Sequence, residues 1–201
     1  MGKVGFGSDN RMKHGNKRRC RGRRAVRARG FTLFELMMTI AVAAVVAGFA
    51  VPSFFEIVRA NKIVTNNNAL ISALALARSE AIKSGLRTTV CRSTDQQTCA
   101  GAGGWESGWI VFTDPTGAGT VDPGETILRV WDPLDPGDTI TPPAAFDAFV
   151  SFVGTGETRG AAANAGSFAV CGKGSDPVDG RTITVGLFGY TNTTTGAAAC
   201  P

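Results

Sequence analysis

The chain has 201 residues, a sequence pI near 9.2 and a net charge of +5, which is room for one domain with an appended segment. The charge is divided: residues 1–30 hold eleven Lys/Arg and one Asp, net +10, whereas residues 31–201 hold ten Lys/Arg and fifteen Asp/Glu, net −5. The single histidine, His14, also falls in the first thirty residues. The remainder therefore has no His for a Ser-His-Asp triad, a Cys-His dyad or a His-bound metal. It also has no GxSxG, phosphate loop or metal-ligand spacing, so the sequence points away from an enzyme and implies no cofactor.

The basic segment ends at Gly30 and is followed by Phe31 to Val51, FTLFELMMTIAVAAVVAGFAV, 21 residues with one charge, Glu35. As a helix this run spans roughly 30 Å of hydrocarbon. Lys and Arg precede it and none lies within it, so the N-terminus is expected to stay cytoplasmic and the rest to be exported. The KRRCRGRRAVRAR stretch is explained by that position, with a nucleic-acid reading left as the rival. A secretory signal peptide would have a shorter apolar region and a cleavage site after it. Here the small residue that looks cleavable, Gly30, comes before the apolar run. Met12 is an alternative start to Met1, and either leaves a basic leader ending at Gly30.

The residues RGFTLFELM (29–37) resemble the type IV prepilin processing motif. The resemblance implies that a prepilin peptidase cuts after Gly30 and that Phe31 becomes the N-methylated terminus. It also implies that Glu35 is the family's acidic residue, which pairs with the terminal amine of a neighbouring subunit. A carboxylate near the start of a membrane helix is costly without a partner. The alternative is a tolerated interfacial glutamate. Pro52 falls where helices of this family kink.

Beyond Pro52, Ile63, Leu70, Leu74, Ala77 and Ala81 recur at three- and four-residue steps on one helix face. Asn67 interrupts the stripe, Arg59, Lys62, Arg78, Glu80 and Lys83 lie elsewhere, and Gly85 is a helix stop. From Leu86 onward, short β-branched or aromatic runs alternate with Gly, Pro and Asp. The expected strands are Thr88–Arg92, Trp109–Thr113, Thr126–Trp131, Phe149–Val153, Ser167–Cys171 and Thr182–Phe188. Trp105, Trp109 and Trp131 read as core or rim residues. ALARSEAIKSG (75–85), TVC (89–91), GWESGWIVFTD (104–114) and ILRVW (127–131) resemble the GspH/FimT family of minor pilins and pseudopilins. The implied fold is α+β, a long N-terminal helix, transmembrane in its first half, packed on an antiparallel β-sandwich-like globular domain. The expected organisation is a leader over 1–30, a transmembrane or filament-core helix over 31–52, its amphipathic continuation over 53–85, and a β-rich domain over 86–201.

Cys20 belongs to the leader, which leaves Cys91, Cys99, Cys171 and Cys200. No CxxC pair is present, so disulfides in an oxidising compartment are favoured over a zinc site. Three connectivities are possible, and the expected one is Cys91–Cys99 with Cys171–Cys200. Asp114, Asp122 and Glu125 lie in an acidic stretch that raises a calcium site, because major pseudopilins of secretion systems use an acidic loop for calcium. The spacing is not that of an EF-hand, and Asp-Pro and Pro-Gly form turns for backbone reasons, so solvated turns are expected and no metal. Some FimT-type proteins capture DNA through a C-terminal Gly-Arg-x-Arg motif. Here Gly180-Arg181-Thr182-Ile183 lacks the second arginine, and a cluster of Arg159, Lys173 and Arg181 would at best contact phosphates weakly. The expected role is a minor type IV pilin near the pilus tip, assembling with other minor and major pilins, first in the inner membrane with its globular domain periplasmic. The alternatives are a GspH-type minor pseudopilin of type II secretion and a FimT-type DNA-binding minor pilin.

Overall fold

The computed structural model describes residues 30–160, 163–174, 180–196 and 200; the expected leader, with Met12, His14 and Cys20, lies outside the described residues apart from Gly30. The chain divides into two units, Met1–Ala44 and Val45–Pro201. The helix α1 (Leu33–Ser84) starts in the first unit and is unbroken in its assignment through Pro52. In the first unit every described residue is exposed.

In the second unit α1 has one packing face. Ile63, Leu70, Leu74, Ala77 and Ala81 are buried, joined by Ala73; the three alanines keep that face narrow beneath the sheets. Asn67 is buried in the same stripe at 4% exposure. Its amide nitrogen donates to Asn68 Oδ1 at 3.4 Å, and its own Oδ1 has no partner among the described residues. The helix ends as the sequence predicts. Gly85 adopts φ +72°, which glycine reaches without steric cost, and its N–H donates to Ala81 O at 2.9 Å in the left-handed cap geometry.

Nine strands follow among the described residues, in two antiparallel sheets. The first holds β1 (Thr88–Arg92), β2 (Trp109–Thr113), β3 (Ile127–Trp131), β5 (Phe149–Phe152) and β6 (Thr158–Gly160) in the order β3-β2-β1-β5-β6. The second holds β4 (Thr139–Thr141), β7 (Gly166–Cys171), β8 (Arg181–Val185) and β9 (Thr191–Thr195) in the order β4-β7-β8-β9. The architecture is α+β. One core joins the α1 face to Val90, Trp109, Val111, Val150 and Phe152 of the first sheet and to Ile140, Phe168, Val170, Ile183 and Val185 of the second. Trp105 fills its centre, edge-on to Phe168 with ring centroids 5.1 Å apart, and its indole N–H donates to the carbonyls of Phe146 and Asp147. Trp131 lies at the rim, stacked on Trp109 and covered by the Arg129 guanidinium 4.8 Å from its ring centre.

β1 and β2 are buried on both faces, because the first sheet's opposite side carries a second cluster. There Cys91, Ile110 and Phe112 pack with Cys99, Val121, Ile127 and Phe149.

Several strand expectations need correction. β4, β6 and β9 are additional, and β8 stops at Val185 instead of reaching Phe188. Gly186 accepts the turn there: its N–H donates to Tyr190 O, Gly189 takes φ +74°, and Arg78 of α1 donates to Phe188 O at 3.0 Å. Leu187 and Phe188 are left exposed. β3 begins at Ile127: the Thr126 N–H donates to the Thr113 hydroxyl at 3.0 Å, while its carbonyl accepts the Thr113 N–H, and the register shift of this pair falls inside the strand, at Leu128. β5 ends at Phe152 because Val153 opens a turn, its N–H donating to Glu157 O.

Candidate functional site

The candidate assembly site is the start of α1. Gly30 and Phe31 precede the helix, and a Cβ built on Gly30 would meet open space, so packing does not require glycine at that position. Thr32 is the N-cap: its Oγ1 accepts the Glu35 N–H at 3.2 Å, and its carbonyl accepts the Leu36 N–H at 3.1 Å. Glu35 therefore occupies the third helical position of a Thr-x-x-Glu pattern, where a carboxylate also meets the positive end of the helix dipole. Glu35 thus has a local role beside the one expected towards a neighbour, and the Thr-x-x-Glu spacing in the sequence is its signal.

Around that turn the side chains are apolar and open. Phe31, Leu33 and Phe34 are more than 70% exposed, and Met37, Met38, Ile40, Val42, Val45, Val46 and Phe49 continue the exposed surface. Helix α1 is long and apolar enough to cross a membrane, with a mean hydropathy of 2.2 over its best window, none of it buried within the molecule. A helix apolar all round in this way needs lipid or other helices around it.

The disulfides belong to the second unit. Cys91 is bonded to Cys99 and Cys171 to Cys200, each pair with Cα atoms 5.6 Å apart.

Residues 26–51 match the prokaryotic N-terminal methylation motif, and residues 66–189, more than half of the chain, match the family described as type II transport protein GspH. The chain belongs to the GspH family. By these two matches it is a pilin or pseudopilin. Among solved structures it is similar to the type IV minor pilin FimU of Pseudomonas aeruginosa, at 19% identity over 63% of this chain and 88% of that one, with a TM-score of 0.44. It is also similar to the minor pseudopilin EpsH of the Vibrio cholerae type 2 secretion system, at 13% identity over 70% of this chain and 99% of that one, with a TM-score of 0.48. A comparison with curated proteins returned no match.

The other candidate residues of this GspH-family chain fall in different places. Arg159 lies on β6, at the edge of the first sheet, and its guanidinium is held by Glu157 at 3.0 Å and by the Thr158 carbonyl. Arg181 lies on β8 in the second sheet, partly buried, donating to Gly180 O at 3.2 Å. Lys173 is exposed just past β7. Two sheets therefore share the three cations.

Asp114 corrects the expectation of solvated turns. It is fully buried, and its carboxylate accepts the N–H groups of Gly117, Ala118 and Gly119 at 2.7–3.1 Å and the Thr89 hydroxyl at 2.7 Å. Thr89 in turn contacts Ser151 Oγ at 2.7 Å. Asp114 thus organises the loop after β2 and ties it to β1 and β5. Asp122 accepts the Thr116 hydroxyl, and Glu125 accepts the Asp122 N–H. Among the described residues no group of three His, Cys, Asp or Glu is placed to hold a metal.

Proposed function

We propose that this protein is a minor type IV pilin, structural and not catalytic, set near the pilus tip, where it helps other minor pilins to start assembly. The observation that carries the reading is the exposed, apolar start of α1 with one charge, Glu35, in its first turn. In this reading prepilin peptidase removes residues 1–30 and Phe31 is N-methylated. Residues 31–51 anchor the subunit in the inner membrane, N-terminus cytoplasmic and globular domain periplasmic, until the helix moves into the filament core. The Glu35 carboxylate then receives the terminal amine of a neighbouring subunit and sets the register of stacking.

Glu35→Ala tests this. Cleavage after Gly30 should proceed, while the amount of subunit recovered in sheared filaments should fall at least severalfold. Undiminished recovery would remove the docking role. A second reading, a minor pseudopilin of type II secretion, is favoured by the description of the matched family. Deleting the gene separates the two: loss of surface pili with normal exoprotein secretion supports the pilus, and the reverse supports the pseudopilus.

A further inference from the structure

Arg59 is the first Lys or Arg after the apolar run. With Lys62 of the next helical turn and Lys173 from the end of β7 it lines a cavity of about 140 Å³, closed by Asp135, Pro136, Asp138 and Gly172. Lys62 is paired, its ammonium 2.5 Å from Asp135. Asp138 is 6% exposed and already occupied, accepting the Asn66 amide at 2.9 Å and the Lys173 backbone N–H at 3.0 Å. The side chains of Arg59 and Lys173 are exposed and make no ion pair or hydrogen bond among the described residues. Two unpaired cations and one shared one thus line a recess whose two carboxylates are already held, Asp135 by Lys62 and Asp138 by the Asn66 amide and the Lys173 N–H. The positive charge is local, because residues 31–201 carry net −5.

The place of this recess along the helix suggests its ligand. Arg59 lies eight residues past Val51, about 12 Å along the axis. Phe54 and Phe55, both mostly exposed, occupy the turn between them. Helical side chains lean towards the N-terminus, so the Arg59 guanidinium reaches back towards the two phenylalanines. A headgroup layer is about 5–8 Å deep on each side of the hydrocarbon, within the combined reach of that side chain and a headgroup. We propose that the cavity formed by Arg59, Lys62 and Lys173 binds the phosphate of an anionic phospholipid, holding the base of the globular domain on the membrane surface before assembly. This inference rests on residues 31–51 being the membrane anchor.

The test uses the full chain reconstituted in phosphatidylcholine bilayers, with spin-labelled phosphatidylglycerol or phosphatidylcholine reporting which lipid occupies the protein boundary. The quantity read is the difference between wild type and the double variant Arg59→Gln/Lys173→Gln, because the basic leader acts alike in both. Each charge removed should lower phosphatidylglycerol association about fivefold, while Lys83→Gln, at the far end of α1, should change nothing. No difference between wild type and double variant overturns the proposal, and so does a loss as large in Lys83→Gln. Displacement of the labelled lipid by millimolar inorganic phosphate would assign the cavity to a soluble anion and overturn the lipid. Alkaline carbonate extraction separates the two readings. A chain released by carbonate defeats the anchor and this proposal together. A chain retained without any difference between wild type and double variant defeats the lipid contact alone.

Discussion

At the scale of single residues, Asp114 shows how an acidic position in a turn-rich stretch becomes structural. Its carboxylate is removed from water and repaid by three backbone N–H groups and one hydroxyl. Hydrogen bonds to a charged acceptor are the stronger kind, and truncating the acceptor leaves several buried donors unpaired. Asp114→Ala should therefore destabilise the protein by about 2–4 kcal/mol. In thermal unfolding of the chain in detergent micelles that corresponds to a fall of roughly 5–15 °C. Added calcium should leave the wild-type midpoint in place. A midpoint raised by calcium and unmoved by Asp114→Ala would restore the metal reading. The sequence could not separate these possibilities, because Asp-Pro-Thr-Gly reads alike whether its carboxylate faces solvent or turns back onto its own loop. Asp95 repeats the device on the surface: the hydroxyl and N–H of Thr98 and the N–H of Gln97 hold its carboxyl well below the usual range.

At the scale of elements, the disulfides close two loops of different length. In the chain-entropy account, Cys91–Cys99, eight residues apart, contributes about 2.5 kcal/mol, and Cys171–Cys200, twenty-nine apart, about 3.5 kcal/mol. Replacing each pair by alanines should lower the urea unfolding free energy in that order, the second pair costing more. Equal losses, or a larger one at Cys91–Cys99, would show that strain or packing of Cys91 beneath Ile110 and Phe112 outweighs loop closure. The same elements show what was legible in sequence. β1 and β2 were readable to the residue because TTVCR and WIVFT are β-branched or aromatic runs ended by turn residues. The helical stripe was readable because its apolar steps held for five positions, and Asn67 broke the pattern without leaving the face. β9 was not readable as a strand. TNTTT has no apolar side, and as an edge strand it needs none, since its register with β8 comes from backbone pairing from Thr191↔Val185 to Thr195↔Arg181. β4 and β6, three residues each, are too short to show a period.

At the scale of the whole molecule, the distribution of charge decides what the globular domain can hold. A nucleic-acid surface needs several cations on one face, free to neutralise phosphates. From Phe31 onward the chain is net −5. Arg159 is bound to Glu157 and Arg181 is partly buried in a central strand of the second sheet, which leaves Lys173 as the one of the three that is exposed and without an ion pair among the described residues. With few phosphate contacts the salt dependence is shallow and the affinity low from the outset. The chain beginning at Phe31, held in neutral detergent, should therefore give no gel shift with double-stranded DNA at about 150 mM salt. The full chain should give a shift that vanishes when residues 1–30 are removed, because the +10 segment supplies the phosphate-binding charge. A robust shift from the shortened chain, abolished by Arg181→Ala, would place DNA capture in the globular domain and reverse this reading. Acidic in sum, the body gathers Arg59, Lys62 and Lys173 around one recess beside the helix segment that follows the apolar run, where a bilayer with anionic lipids is the polyanion within reach.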